Sequence, residues 1–328
     1  MRTGFGQFNE PNDEFLIFAK QFGATDILLN TPSLPTNNGI WELRDLVKLR
    51  LKIESHGLSL SALENVPTSF YDHIMLNGTR RDQQIENMII TVKNIARAGI
   101  KILGYNWMPS HVWRTQPKII RGGASATAFN YEQAKNFPNT HDREYEEEEI
   151  WENLEYWLKI IMPVAEEEKI KLGIHPCDPP VEKLGGIPNI FRSYDNYRRY
   201  LDIYPSDYCG IEFCQGTIAE MFDSKGENIY KFIEEMLIRK KIFYVHFRNV
   251  SAPNPESFHE EFINTGHVDM YRAMKTYYQN DYDSFFIDDH VPSTFQDTDW
   301  GHRGRAFANG YIQAMIEAVK KEGKYETY

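Results

Sequence analysis

Four side chains that could bind a metal ion each stand at the C-terminal end of a short apolar segment. They are His175 after KLGI, Cys214 in CGIEFC, His246 in IFYVHF and Asp289 after SFFID. Each segment has the composition of a β-strand and is followed by a helical pattern. The C-terminal ends of parallel strands meet at one rim of a barrel, so the four side chains could point at one ion. Imidazole, thiolate and carboxylate together suit a divalent transition metal.

His290 follows Asp289 directly, and neighbouring residues at a strand end can face different directions. One of the two could therefore bind the ion while the other transfers protons, for which imidazole is suited by its ordinary pKa of about 6.5. Cys214 would bind as a thiolate. Three or four protein ligands leave coordination positions open, which is typical of a catalytic site. Each residue alone also fits ordinary packing, so the prediction rests on all four occurring at equivalent strand ends.

Further residues at or beyond predicted strand ends could contact a substrate. They are Asn106, Trp107, Arg248, Asn249, Trp300 and His302. Arg248 is the best candidate for binding a carboxylate, because a planar guanidinium can donate two parallel hydrogen bonds. Each of these residues, taken singly, equally fits a structural cap or a loop contact.

Strand-like and helix-like segments alternate along the whole chain. The predicted strands are Thr3–Phe8, Asp26–Asn30, Leu58–Asn65, Lys101–Trp107, Lys171–His175, Gly210–Cys214, Ile242–Arg248 and Ser284–His290. The clearest helices span Asp82–Gly99 and Glu147–Lys169, and Pro163 is expected to kink the second or limit its length. This alternation predicts an α/β fold, a (β/α)8 TIM barrel with one domain over residues 1–328. A doubly wound sheet is the alternative, but neither GxGxxG nor a P-loop opens the first helix.

The connection after the fourth predicted strand is unusually long. Residues 109–145 are polar, poorly periodic and contain RGGASATAFN. Structureless connections beyond about 12–15 residues are uncommon and are usually lids, binding loops or disordered segments. A rim loop or lid over the catalytic end of the barrel is therefore predicted, with simple disorder as the alternative.

The composition limits the class of protein. The 328 residues include 36 basic and 47 acidic side chains, giving a net charge of −11 that argues against a nucleic-acid partner. No apolar run approaches the roughly 18–20 residues that span a bilayer, and the N-terminus has no signal-peptide core. The three cysteines do not indicate a disulfide framework. A cytoplasmic protein without a membrane partner is expected.

Several motifs resemble those of the mannonate dehydratases. They are RDQQIENMIITVKNIARAGIKILGYNWMPSHVWRT at 81–115, EEEIWENLEYWLKIIMPVAEEEKIKLGIHPCDPP at 147–180, GIPNIFRSYDNYRRYLDIYPSDYCGIEFCQGT at 186–217, HFRNV at 246–250, GHVDMY at 266–271 and DDH at 288–290. The resemblance implies a (β/α)8 lyase of hexuronate catabolism, related to xylose isomerase, that acts on a small sugar acid and can form homo-oligomers. It also implies Mn²⁺ or Fe²⁺ bound by His175, Cys214, His246 and Asp289, with His290 as the catalytic histidine.

The chain departs from this pattern beside the predicted metal ligands. Ile287 stands where family members usually carry arginine, Asp288 adds a carboxylate, and Ile263 replaces a histidine. The family's catalytic tyrosine would fall in the segment 300–306, which reads WGHRGRA. The candidates for a second proton-transfer group are therefore His302, Tyr105 and Asp288.

Three functions are compatible with these residues. The leading hypothesis is a metal-dependent dehydratase that eliminates water from an aldonate to give a 2-keto-3-deoxy sugar acid. A metal-dependent isomerase or epimerase acting on a sugar or sugar acid would use the same metal to move a proton between neighbouring carbons. A sugar-binding homologue without turnover is the third. Release of a keto-deoxy product distinguishes the first from the other two.

Overall fold

Eight parallel strands close into a barrel in the computed structural model, which describes residues 1–221 and 228–325. The barrel strands are β1 (Arg2–Phe8), β2 (Asp26–Asn30), β3 (Ser59–Glu64), β4 (Ile102–Tyr105), β5 (Lys171–Ile174), β6 (Cys209–Cys214), β7 (Ile242–His246) and β8 (Phe285–Ile287). Each pairs with its neighbours in chain order, and β8 pairs with β1 to close the sheet. The prediction of a (β/α)8 barrel is confirmed, because its strands coincide with these except at their ends.

Helices connect the strands and cover the outside of the barrel. They are α1 (Asp13–Gln21), α2 (Leu43–Ser55), α3 (Asp72–Met75), α4 (Arg81–Arg97), α5 (Tyr131–Ala134), α6 (Glu147–Glu168), α7 (Tyr194–Ile203), α8 (Gln215–Glu220), α9 (Ile229–Ile238), α10 (Met270–Gln279) and α11 (His302–Tyr325). Short 3₁₀ turns cover Thr68–Phe70 and Arg121–Gly123. No helix within the described ranges is both long and apolar enough to cross a membrane.

Helix α6 shows how the apolar pattern sets the packing. Ile150, Leu154, Leu158 and Ile161 recur at helical spacing and are fully buried in the core. The expectation that Pro163 would limit the length of this helix is wrong, since α6 continues to Glu168, and the alternative of a kink stays a prediction. Pro163 lies on the exposed face, where the carbonyl freed by its missing N–H can bond to water.

The strand register determines which side chains share a level inside the barrel. Cys214 pairs with His246 across β6 and β7, and Glu212 pairs with Tyr244 two residues earlier. Because side chains alternate along a strand, Glu212 and Tyr244 face the interior one layer below the rim. Gly104 on β4 completes that layer, since any side chain there would collide with Tyr244 and Glu212.

The connection at residues 109–145 is tied to three other loops of the rim. Within it, Lys118–Ile119 pairs with Ser125–Ala126, and Ala128–Asn130 forms an antiparallel ribbon with Ser257–His259 after β7. Ser125 also bridges to Ser293 after β8. The Phe129 and Phe258 rings pack beneath the ribbon with Val181 and Leu184 from the loop after β5. The segment is thus ordered on the rim, and its use as a lid stays a prediction.

Two further hairpins lie on the rim loops. Thr36–Asn37 pairs with Ile40–Trp41 after β2, and Lys183–Leu184 pairs with Ile187–Pro188 after β5. Both lie in connections that follow the C-terminal ends of barrel strands, so the elaborated loops gather at the end of the barrel where the predicted ligands stand.

Candidate active site

The structure brings the four predicted metal ligands together at the C-terminal ends of β5 to β8. Ligand atoms of His175, Cys214 and His246 lie within 4.8 Å of one another. Asp289 joins them, with Oδ1 3.5 Å from His246 Nδ1 and Oδ2 3.8 Å from Cys214 Sγ. Ligands about 2.0–2.3 Å from a common ion are expected to be spaced in this way.

Each histidine in this cluster has one ring nitrogen engaged by a partner. His175 Nδ1 lies 2.7 Å from the carbonyl oxygen of Pro176, which leaves Nε2 available. His246 Nε2 lies 2.8 Å from Glu64 Oε2, while its buried Nδ1 has no hydrogen-bond partner among the described residues. Metal-bound histidines typically donate their other ring N–H to such an oxygen. The donor set and the unpartnered nitrogen therefore fit a bound divalent metal.

Neighbouring charges favour the ionised forms of two candidate ligands, Cys214 and Asp289. Burial opposes ionisation of Cys214, but the Arg248 guanidinium and hydrogen bonds from His175 and His246 together outweigh it and lower the thiol pKa to about 5. Burial likewise opposes ionisation of Asp289, yet His290, His246 and Arg248 hold its pKa well below the usual range. Both ligands are therefore anionic at neutral pH, as metal binding requires.

Protonation of the histidines competes with metal binding. Burial lowers the pKa of His175, but the charges of Glu212 and Cys214 prevail and raise it to about 10 in the absence of an ion. The pKa of His246 is raised in the same way, against burial, by Asp289 and Glu64. A divalent ion would take over the neutralisation of these anions and displace the protons.

Strained backbone marks the rim around this cluster. Gln7, Asn65 and Asp289 adopt left-handed conformations with φ of 70°, 64° and 58°. Asparagine and aspartate tolerate this region better than most residues, but glutamine is uncommon there. Such strain often accompanies functional sites, and here it directs Gln7 Nε2 to Glu64 Oε1 at 2.8 Å.

His290 stands beside the cluster and faces a cavity of about 350 Å³. Its Nδ1 lies 2.8 Å from Glu260 Oε1, and its Nε2 lies 3.6 Å from Asp289 Oδ1. The side chain is 42% exposed, so the ring can meet a molecule in the cavity. Polar residues that also line the cavity are Gln7, Thr127, Ser293, Thr298 and Asp299.

Arg248 is surrounded by carboxylates of the protein itself. Its guanidinium is 2% exposed and contacts Asp289 at 2.8 Å, Asp178 at 3.3 Å and Glu220 at 3.5 Å. Because protein carboxylates surround it, the prediction that Arg248 binds a substrate carboxylate is not supported. Arg248 instead holds the carboxylate of the candidate ligand Asp289.

The remaining predicted substrate-binding residues differ in their surroundings. Trp300 lines the cavity and packs against the Phe15 and Phe18 rings with centroids 5.0 and 4.9 Å away. Asn106 is half-buried and donates to Asn65 Oδ1 at 2.8 Å. These two keep positions on the rim that a ligand could reach, and their roles stay predictions.

Three others are engaged in the protein itself. Trp107 is fully buried, and the Asn249 side-chain amide donates to the carbonyl oxygen of Val268 and accepts from its backbone N–H. His302 begins α11, bonds to Thr298 Oγ1 at 2.9 Å and does not line the cavity. This geometry favours structural roles for all three.

The proposed second proton-transfer groups do not line the cavity beside His290 either. Tyr105 is wrong as a proton-transfer group. Because its neighbour Gly104 faces the barrel interior, the Tyr105 side chain points outward into the helix layer. Its hydroxyl lies there 3.0 Å from that of Tyr200. Asp288 is buried and bonds to Arg305 at 3.0 Å.

Sequence reasoning missed Glu212, Arg114 and Glu260. Glu212 is fully buried, and its Oε1 lies 3.3 Å from His246 Nε2. A charged residue two positions before Cys214 in an apolar strand was the available signal, because it shares the interior-facing side. Arg114 and Glu260 lie in irregular segments, where no periodicity reveals their direction.

Comparisons with known proteins identify the family of this chain. A family model described as "D-mannonate dehydratase (UxuA)" matches residues 1–143 and 137–326. A mannonate dehydratase of Streptococcus pneumoniae is 29% identical over 315 residues, covering 87% of this chain and 82% of the relative. The crystal structure of mannonate dehydratase from Streptococcus suis superposes with a TM-score of 0.85 at 28% identity, covering 99% of this chain and 95% of that one.

A more distant structure shares the fold alone. A xylose isomerase domain protein from Planctomyces limnophilus superposes with a TM-score of 0.62 at 10% identity, over 98% of each chain. The family match, in contrast, extends over nearly the whole chain and confirms the expectation of a mannonate dehydratase-like hydro-lyase at the level of family. The chain belongs to the D-mannonate dehydratase family.

Proposed function

We propose that this protein is a metal-dependent sugar-acid dehydratase that converts an aldonate, with D-mannonate as the first candidate, to a 2-keto-3-deoxy sugar acid. The observation that carries the proposal is the convergence of His175, Cys214, His246 and Asp289 on one point beside His290. Membership of the D-mannonate dehydratase family supports the same reaction class.

The reaction is a β-elimination. The C2–H and C3–OH bonds of the aldonate break, water leaves, and the resulting enol becomes the 2-keto product by moving a proton to C3. The four ligands would hold Mn²⁺ or Fe²⁺, which when bound would polarise the substrate and stabilise the negative charge that develops beside its carboxylate.

His290 is the residue placed to move a proton in this reaction. Its Nδ1 is engaged by Glu260, so Nε2 is the nitrogen left to accept a proton from C2 or donate one to the departing hydroxyl. Burial lowers the pKa of His290, but Asp289 and Glu260 raise it above its ordinary value overall. Glu260, which lies outside the proposed ligand set, contributes to this shift and would support a role for His290 as the acid that protonates the poor leaving group.

The cavity beside His290 fits a small polyol acid. Its volume of about 350 Å³ falls within the usual range for small-molecule sites. Its hydroxyl, amide and carboxylate groups offer hydrogen bonds to several substrate hydroxyls, and Trp300 supplies one apolar wall.

The test is an assay of the Mn²⁺-loaded protein against D-mannonate and a panel of stereoisomeric aldonates, following formation of 2-keto-3-deoxy acid. We expect product with at least one aldonate, loss of product on chelation, and a fall of about 10²–10⁴-fold in kcat for His290→Gln. His73→Gln is the control, because His73 lies in α3 away from the cavity.

The alternatives give different outcomes in the same experiment. Isomer exchange at C2 in deuterated water without a keto-deoxy product would replace the dehydratase with an isomerase or epimerase. Ligand binding without either reaction, by protein that retains its metal, would indicate a binding protein.

A further inference from the structure

We propose that Glu260 is a positioning residue that fixes the tautomer and orientation of His290, and that Arg114 holds Glu260 in place for this purpose. The proposal rests on the proposed function, since it assigns the atom through which His290 would act. Neither residue lies at the end of a barrel strand, and both belong to loops that meet over the rim.

The contacts of Glu260 make it a hydrogen-bond acceptor only. Its side chain is 4% exposed, and its Oε1 accepts from His290 Nδ1 at 2.8 Å and from Arg114 at 3.2 Å. Arg248 lies 3.7 Å from the same oxygen. Two guanidinium groups keep the carboxylate ionised, and an ionised carboxylate only accepts hydrogen bonds. The proton of a neutral His290 ring must then reside on Nδ1.

Nε2 of His290 is therefore the nitrogen that would exchange protons with a substrate. With Nδ1 carrying the proton, the lone pair of His290 is on Nε2, which lies 3.6 Å from Asp289 Oδ1 on the metal side. A histidine whose second nitrogen is held by a carboxylate presents its free nitrogen in one protonation state and one direction. Without that contact, a ring that is 42% exposed could adopt other rotamers and the other tautomer.

Arg114 connects this arrangement to the long rim loop. Its guanidinium donates two hydrogen bonds of 2.7 Å to Asp178. The Nη2 group that donates one of them also donates to Glu260 Oε1. The backbone of Glu260 is fixed independently, because its N–H donates to Thr127 at 2.9 Å and it bridges to Val250. The carboxylate is thus anchored before any substrate binds, as a positioning residue requires.

The test measures the tautomer directly, by ¹⁵N NMR of ring-labelled histidine in Zn²⁺-loaded protein, above the pH at which His290 loses its second proton. The His290 signal is assigned by its loss in His290→Gln. We expect protonated Nδ1 in the wild type and in Glu260→Gln, whose amide oxygen can still accept. Glu260→Ala should show a mixture containing protonated Nε2. Glu261→Gln is the matched control, since Glu261 bonds to His259 and Thr265 instead.

Kinetics of the same variants supply the second readout. We expect kcat of Glu260→Ala to fall by about 100-fold or more with a small change in KM, and Glu260→Gln to recover much of the loss. If Glu260→Ala does not fold, the same measurements on Glu260→Gln and Arg114→Lys test the proposal. We expect Glu260→Gln to keep the wild-type tautomer of His290 and Arg114→Lys to give a mixture of the two tautomers.

The proposal is overturned if wild-type His290 carries its proton on Nε2, or if Glu260→Ala leaves the tautomer unchanged. An effect of Glu260→Ala on KM with no effect on kcat would also contradict it. Failure of the proposed function would look different, because wild-type protein would then form no keto-deoxy product while the NMR result still decided the role of Glu260.

Discussion

At the residue scale, the proposed metal centre would combine one soft ligand with three harder ones. Cys214 supplies a thiolate beside two imidazoles and one carboxylate, and Arg248 stabilises its ionised form. Removing the sulfur should therefore have a larger effect on binding than removing any residue that only orients a ligand.

We predict that Cys214→Ser weakens Zn²⁺ and Mn²⁺ binding by more than about 100-fold, above the range typical of orienting residues. A serine hydroxyl stays protonated and is a poorer ligand than a thiolate. Isothermal titration calorimetry measures the change, and Cys209→Ser at the opposite end of the same strand is the control. Unchanged affinity in Cys214→Ser would remove this residue from the ligand set.

Glu64 tests the orienting contacts in the same way. Its Oε2 accepts from His246 Nε2 at 2.8 Å, which leaves Nδ1 for the metal. We predict that Glu64→Gln lowers metal affinity by about 10–100-fold, because the amide orients the ring without its charge. Titration calorimetry decides here too, and an effect as large as that of Cys214→Ser would instead make Glu64 a ligand.

Single residues were predicted from sequence where a strand fixed their direction. His175, Cys214, His246 and Asp289 stand at strand ends, so their convergence followed from the barrel once its strands were identified. The surroundings of Arg248 could not be foreseen, because its carboxylate partners come from residues 178, 220 and 260 in three different segments. Sequence spacing carries no information about such long-range pairing.

At the element scale, the start of α11 depends on Asp297. Its Oδ1 accepts from the N–H groups of Thr298 and Arg303, and its Oδ2 accepts from Gly304. Burial raises the pKa of Asp297, but these hydrogen bonds outweigh it and lower the pKa below its usual value. The ionised carboxylate therefore stabilises the first turn of the helix.

We predict that Asp297→Asn destabilises the protein by about 1–2 kcal/mol at neutral pH, since one acceptor oxygen becomes an N–H₂ group. The pKa of Asp297 in the folded protein lies below the unfolded value of about 3.9, so its contribution is present above that pH and is lost as the pH falls through the folded value. Urea unfolding of both proteins should converge in acid, with Asp299→Asn as the control. A difference that persisted at low pH would contradict the assigned role.

The elements themselves were largely predictable, and the exceptions have physical reasons. The apolar spacing in α4 and α6 and the β-rich segments between helices indicated the barrel, because each pattern matches one face of a helix or a buried strand. The ribbon between Ala128–Asn130 and Ser257–His259 was missed. It joins short segments far apart in the chain, and no local pattern records their pairing.

At the scale of the whole molecule, metal binding should be coupled to stability. The proposed centre would draw its ligands from the C-terminal ends of four strands, and an unfolded chain cannot hold them together. A ligand that binds only the folded state adds about 2.7 kcal/mol when its free concentration is 100 times its Kd.

We therefore predict that Tm rises by several degrees with added Mn²⁺, that a chelator reverses the rise, and that the rise is much smaller in Cys214→Ser. Differential scanning fluorimetry gives all three results. Ca²⁺ is the control ion, because it prefers six to eight oxygen ligands. An equal shift in wild type and Cys214→Ser would indicate that the ion binds elsewhere.

The position of a bound ion is the decisive test of the proposed metal centre. Crystals soaked in Mn²⁺ and measured at the manganese absorption edge should give an anomalous peak about 2.0–2.4 Å from a nitrogen of His175, the sulfur of Cys214, a nitrogen of His246 and an oxygen of Asp289. That result would place the metal where His290 can act on a substrate beside it. A peak held instead between Glu64 and Glu212, or no peak at this rim in crystals shown to contain manganese, would contradict the proposed metal centre.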